Sequence, residues 1–191
     1  ISKKEITNMA RINDFRQHLK NGGARPSQFE VLMPFPTIAT AGDAAQHAKF
    51  MCVAASLPPS TIGSIEVPFR GRTIKIAGER QFQNWNVTIL NDGDFALRKA
   101  LERWSQAILN HGSTAGIVTP KDYVVDLEVK QLGRSESYNA EEKTQRHYVF
   151  RNCYPVNISE IALDFGDTNN IERFNVEFSV DYWTTKDNEI V

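Results

Sequence analysis

The nine residues from Phe174 to Tyr182 alternate without a miss. Phe174, Val176, Phe178, Val180 and Tyr182 fall on one side, and Asn175, Glu177, Ser179 and Asp181 on the other. A period of two is the pattern of a strand with one buried and one wetted face. A helix of the same sequence would scatter these bulky side chains around its circumference. The fold must therefore contain a sheet, and the rest of the chain must supply what covers its apolar side.

Other segments repeat the pattern. Trp85, Val87 and Ile89 alternate with Asn84, Asn86 and Thr88, and Tyr123, Val125, Leu127 and Val129 with Asp126, Glu128 and Lys130. Phe29, Val31 and Met33 form a shorter run that Pro34 and Pro36 break. Over Ile62 to Ala77, the alternating Ile65, Val67, Phe69, Ile74 and Ile76 flank Arg70-Gly71-Arg72, which predicts a hairpin with glycine at its tip. Further strands are expected at Phe50–Leu57, after a small-residue loop over Thr37–Ala45, and at Tyr148–Cys153, ended by Pro155. A last pair is expected from Glu160–Phe165 and Ile171–Trp183, joined by Gly166 to Asn170.

Helical spacing occurs twice. Ile12, Phe15 and Leu19 make one stripe of a short helix stopped by Gly22-Gly23. Leu97, Ala100, Leu101, Trp104 and Ile108 make the stripe of a longer helix, capped by Asp92 or Asp94 and ended before Gly112. Trp85, Val87, Leu97, Leu101, Trp104, Ile108, Phe174, Val176 and Phe178 are the expected core. The polar stretch Gly133–Gln145 reads as a mobile loop. The sum is a mostly antiparallel β domain of about seven or eight strands with one packed helix and a short N-terminal helix. It divides into an arm and helix over 1–23, the β domain over 24–185 and a tail over 186–191. Met9-Ala10 resembles a translation start, so residues 1–8 are assigned no function.

Chemistry is sparse. With 22 Lys and Arg against 23 Asp and Glu in 191 residues, the chain lacks the electrostatic footprint of a protein that grips nucleic acid. No stretch approaches the ~18 apolar residues of a membrane span, and ISKKEITNMARINDF has no apolar signal core, so a soluble protein made in the cytoplasm is expected. His18, His47, His111 and His147 have no ligand spacing with one another or with Cys52 and Cys153, and phosphate-cradling glycine motifs are absent. Asn91 to Asp94 and Asp164 to Asp167 begin like calcium loops but lack the later ligands. No catalytic residue, metal or cofactor is expected.

Three passages carry a resemblance: ARPSQFEVLM over 24–33, VAASLPPSTIGSIEVPFRGRTIKIAGERQFQNWNVTILND over 53–92, and VEFSVDYW over 176–183. Their order, the Leu57-Pro58 break, the run Arg80-x-Phe82-x-x-Trp85 and the closing Asp181-Tyr182-Trp183 resemble the tail tube proteins of large contractile-tailed bacteriophages. The resemblance spans about Ala24 to Trp183 and not the ends or the 133–145 loop.

It implies a structural virion protein, not an enzyme, with a β-sandwich or barrel-like subunit flanked by a helix. Six copies would form a ring, and stacked rings the inner tube for genome ejection. Implied partners are other copies, the tail sheath, baseplate and tail-terminator proteins, and, inside the lumen, the tape measure protein and DNA held without tight binding. Lumen-facing candidates are the neutral or acidic positions Asn84, Asn86, Thr88, Asp126, Glu128, Glu177, Ser179 and Asp181; ordinary outer-wall positions are the alternative. The hairpin with Ile62, Ile65, Val67, Phe69, Arg70, Gly71 and Arg72 is the candidate for ring-to-ring contact, against a plain core hairpin. A tube initiator or terminator and a small-molecule-binding β-barrel are competing functions.

Overall fold

The computed structural model describes residues 12–19, 23–39, 42–133 and 144–186. Its organising element is a long strand, β7 (Thr144–Ile158). The first half of β7 pairs with β6 (Val125–Leu132) on one side and β9 (Tyr182–Thr185) on the other, all antiparallel. Its second half pairs instead with β8 (Arg173–Ser179), which continues to β5 (Trp85–Leu90) and then β2 (Cys52–Ala55). Beyond β6, β1 (Phe29–Leu32) forms the opposite edge.

One strand thus serves two sheet portions, and its backbone shows where the change occurs. Asn152 has a positive φ of 55°, and the register slips between Pro155 and Asn157. Irregularities of this kind bend a strand and let it turn a corner between sheets. Pro155 therefore does not terminate the strand. A proline lacks the ladder donor, and a bulge is where a sheet tolerates that loss.

Above the sheet lies α3 (Ala96–Ile108), with Leu97, Ala100, Leu101 and Trp104 buried and Ile108 half-buried against them. The Asp92 carboxylate accepts the Ala96 N–H at 3.0 Å, so Asp92, not Asp94, satisfies the first turn. Trp85 stacks on Phe150 at 4.4 Å between ring centroids, and Phe178 lies 6.1 Å from both Trp85 and Trp104. Each indole N–H keeps a partner: Trp85 donates to Ser56 O, Trp104 to Tyr123 O and Trp183 to Pro59 O. The aromatic core therefore buries rings without stranding a donor. Val87, Ile89, Phe174 and Val176 complete it.

Several elements differ from expectation. Residues 44–51, divided above between a small-residue loop and a strand, form α2 (Ala44–Met51). Alanine is the best helix former, and Ala44 and Ala48 form the buried side of this helix. Lys49 fastens α2 to β1 through an ion pair with buried Glu30 at 2.6 Å. Two helices, not one, pack on the sheet. Residues 160–165 are not a strand: the β7–β8 ladder ends at Ile158 opposite Val176, and after the Ser159 N–H bonds Asn175 O the chain leaves the sheet. The run from Ile171 to Trp183 divides at Val180-Asp181 into β8 and β9, which pair with different parts of β7. Among the described residues the strands number nine. Most of the polar 133–145 stretch, and residues 1–8, lie outside the described residues.

Candidate functional site

Among the described residues, the histidine and cysteine side chains offer little reactive chemistry. Cys153 is buried in β7, and burial pushes its thiol up to about 12; Cys52, half-buried in β2, is pushed up to about 12 for the same reason. Neither is a thiolate at neutral pH, and a thiol is a poor nucleophile and metal ligand. His147 is buried against Glu128 at 2.8 Å, and His47 lies 3.7 Å from Asp92. Among the described residues no group of three or more His, Cys, Asp or Glu is placed to hold a metal ion.

The unusual surface is the hairpin of β3 (Thr61–Phe69) and β4 (Arg72–Gln81), which forms a sheet of its own. Arg70 and Gly71 turn the chain with φ of 47° and 79°, the left-handed pair that matches the twist of a two-residue hairpin loop. Ile65 lies opposite Ile76 and Val67 opposite Ile74, so with Phe69 they make one apolar face. Glu66 pairs with Lys75 at 3.4 Å on the other face, where alternation also places Ile62. None of these apolar side chains is buried; Val67 is 40% and Phe69 58% exposed. The plain core hairpin is excluded, because the core cluster contains no residue of it.

What holds the hairpin is its root. Trp85 and Trp183 donate to Ser56 and Pro59 on the incoming segment, and the Arg80 guanidinium donates to the Ser60 hydroxyl. The Leu57-Pro58 break is thus a pinned attachment for a projecting element, not merely the end of a strand.

The polar faces behave in two ways. On β5–β8, the Asn84 amide donates to Glu177 and the Thr88 hydroxyl to Asn175, both at 2.8 Å, and Asn86 lies opposite Glu177. This face, with half-buried Ser179, carries one carboxylate, Glu177, and one guanidinium, Arg173, at its Leu90 end. On β6–β7 the acids are compensated. Asp126 pairs with Arg151 at 2.7 Å and Glu128 with His147. Asn152 gathers two of the singled-out acids, its N–H donating to Asp126 and its amide to Asp181. That hub carries no periodic signal, and in the 159–172 loop the alternation of Ile161, Leu163 and Phe165 points to a strand that does not form; the Asp164-Phe165-Gly166 turn sequence was the available hint for the loop.

The profile of the phage tail tube protein family matches residues 24–186. The chain belongs to the phage tail tube protein family. It is 28% identical over 173 residues to tail tube protein gp19 of Enterobacteria phage T4, an alignment covering 90% of this chain and 98% of that one. To the tail tube protein of Serratia phage KSP90 it is 24% identical over 171 residues, covering 88% and 93%. In fold, this tail tube protein resembles a chain of the sheath-tube complex of the extracellular contractile injection system PVC, with a TM-score of 0.54 at 14% identity over 95% of this chain and 99% of that one. The anti-feeding prophage tube-terminating cap gives a TM-score of 0.53 at 16% identity, covering 85% and 90%. The mainly antiparallel β architecture and the contractile phage tail tube function expected above both hold, and a tail tube protein is a structural part of the virion.

Proposed function

We propose that this tail tube protein closes into hexameric rings and that the β3–β4 hairpin joins each ring to the next, producing the conduit for the genome. The observation that carries this is the bare apolar face of Ile65, Val67, Phe69, Ile74 and Ile76 on an element set apart from the core. A two-stranded hairpin is marginal alone in water, and an assembly supplies the cover that one subunit lacks. Sheath, baseplate, terminator and tape measure proteins are the partners such a tube requires, and assembly in the host cytoplasm precedes its place in the virion. The β5–β8 face of Asn84, Asn86, Thr88, Glu177 and Ser179 suits the lumen, because it is mostly neutral and its one basic residue, Arg173, stands at the Leu90 end; each further basic residue would repeat around every ring and hold DNA by its phosphates. The β6–β7 face, with Asp126, Glu128 and Asp181 engaged by Arg151, His147 and Asn152, is less suited.

Negative-stain microscopy tests the assembly. Val67→Asp/Phe69→Asp should give soluble subunits that no longer polymerise, while the unaltered chain forms tubes. Unimpaired tubes from the variant would reject the hairpin's role.

A further inference from the structure

The proposed stacking leaves open what receives the hairpin, and the irregular segment between β7 and β8 has the matching character. Leu163 is 82% exposed, Phe165 is fully exposed and Ile171 is 66% exposed. They border an open groove of about 770 Å³ that is also lined by Asp164, Asp167 and Glu172, with Arg173 its one basic residue. The loop is ordered by its own hydrogen bonds: the Asp164 carboxylate accepts the Gly166 N–H at 2.8 Å, and the Asn170 amide donates to Asp167 at 2.7 Å. Phe165 is therefore held outward by a formed turn.

The hairpin tip is the converse surface. It presents Phe69 with Arg70 stacked over its ring at 5.3 Å, Arg72 beside them, and the apolar row of Val67 and Ile74 behind. An apolar, basic finger faces an apolar, acidic groove. Both are bare within one chain, so the finger does not occupy the groove of its own subunit.

Their placement decides the kind of contact. Trp85, opposite Phe178, marks the end of the β5–β8 ladder where the hairpin is rooted; Leu90, opposite Arg173, marks the end where the groove lies. The hairpin root and the groove are separated by the length of the six-residue β5, roughly 17 Å of strand. A contact between two different patches of one subunit is head-to-tail, and where its rotation does not close it builds a stack. We infer that the Arg70-Gly71-Arg72 tip of one copy docks into the 161–173 groove of a second copy in the adjoining ring. The inference rests on the stacking reading and adds the receptor to it.

Charge exchange tests it. Arg70→Glu/Arg72→Glu and, separately, Asp164→Lys/Asp167→Lys should each lose sedimentable tubes, since like charges would meet in the interface. Combining all four substitutions should restore them. Normal tubes from Asp164→Lys/Asp167→Lys would overturn the groove assignment. So would failure of the combined variant to assemble while its thermal unfolding matches the parent; if Val67→Asp/Phe69→Asp is also inert, stacking through the hairpin survives that failure. Tubes from Val67→Asp/Phe69→Asp would instead remove the stacking reading itself. As a measurement independent of these charges, Phe69→Cys/Phe165→Cys in oxidised assemblies should give a ladder of linked subunits on non-reducing gels, absent from the parent that retains Cys52 and Cys153. No ladder overturns the contact.

Discussion

The β5–β8 ladder and the β3–β4 hairpin are written in the same alphabet and end in opposite environments. In the first, Trp85, Val87, Phe174, Val176 and Phe178 are at most 2% exposed beneath α3. In the second, an equally regular apolar row stays in solvent. Alternation states that a strand has an apolar side. It does not state whether that side is covered by the same chain or by another copy.

The strongest way to break the comparison is at the core. Trp104→Ala removes a fully buried ring and its bond to Tyr123 O, and should cost about 3–5 kcal/mol of subunit stability by chemical denaturation. A loss below about 1 kcal/mol would place the helix–sheet contact on the same footing as the hairpin. Alkaline unfolding sharpens the same contrast. Cys153 ionises in the unfolded chain near 9.0 but only near 12 when buried, so above pH 9 the folded state holds the extra proton. Stability should then fall with rising pH by up to about 1.4 kcal/mol per unit for this thiol. The decline should weaken in Cys153→Ala and be lost only when Cys52, raised to about 12 by the same burial, is replaced as well; the hairpin has no cysteine to contribute.

Asp92→Ala removes the carboxylate that accepts the first α3 N–H and should cost about 1 kcal/mol in a melting experiment. Smallest is Val67→Asp/Phe69→Asp, expected to shift subunit unfolding by no more than about 0.5 kcal/mol because both side chains are exposed. The same change is expected to abolish assembly, so its effects on folding and on polymerisation separate. A large loss of subunit stability would show that the hairpin belongs to the core after all.

Legibility followed the range of the interactions. The hairpin turn was readable because Gly71 at positive φ between two alternating runs is a local matter, and α3 was readable from its stripe and Asp92. Helix α2 was not, since its buried side is made of Ala44 and Ala48, small side chains that leave no strong apolar pattern. Strand β7 was cut short at Pro155 because the bulge that accommodates proline depends on the partner β8. The groove was missed for a similar reason: Leu163 and Phe165 look like strand residues, yet the β7–β8 ladder they would continue ends at Ile158 opposite Val176.

By itself the sequence determined the strand periodicity, the apolar side of each strand, the hairpin turn and the resemblance to tail tube proteins. Those properties arise between residues a few positions apart. Only the tertiary structure decided that β7 serves two sheet portions, that Trp85 and Trp183 pin the hairpin root, and that this root and the 161–173 groove sit at opposite ends of one ladder. Each depends on which distant segments pair, and pairing is settled by competition for shared ladder partners and core volume that no local pattern records.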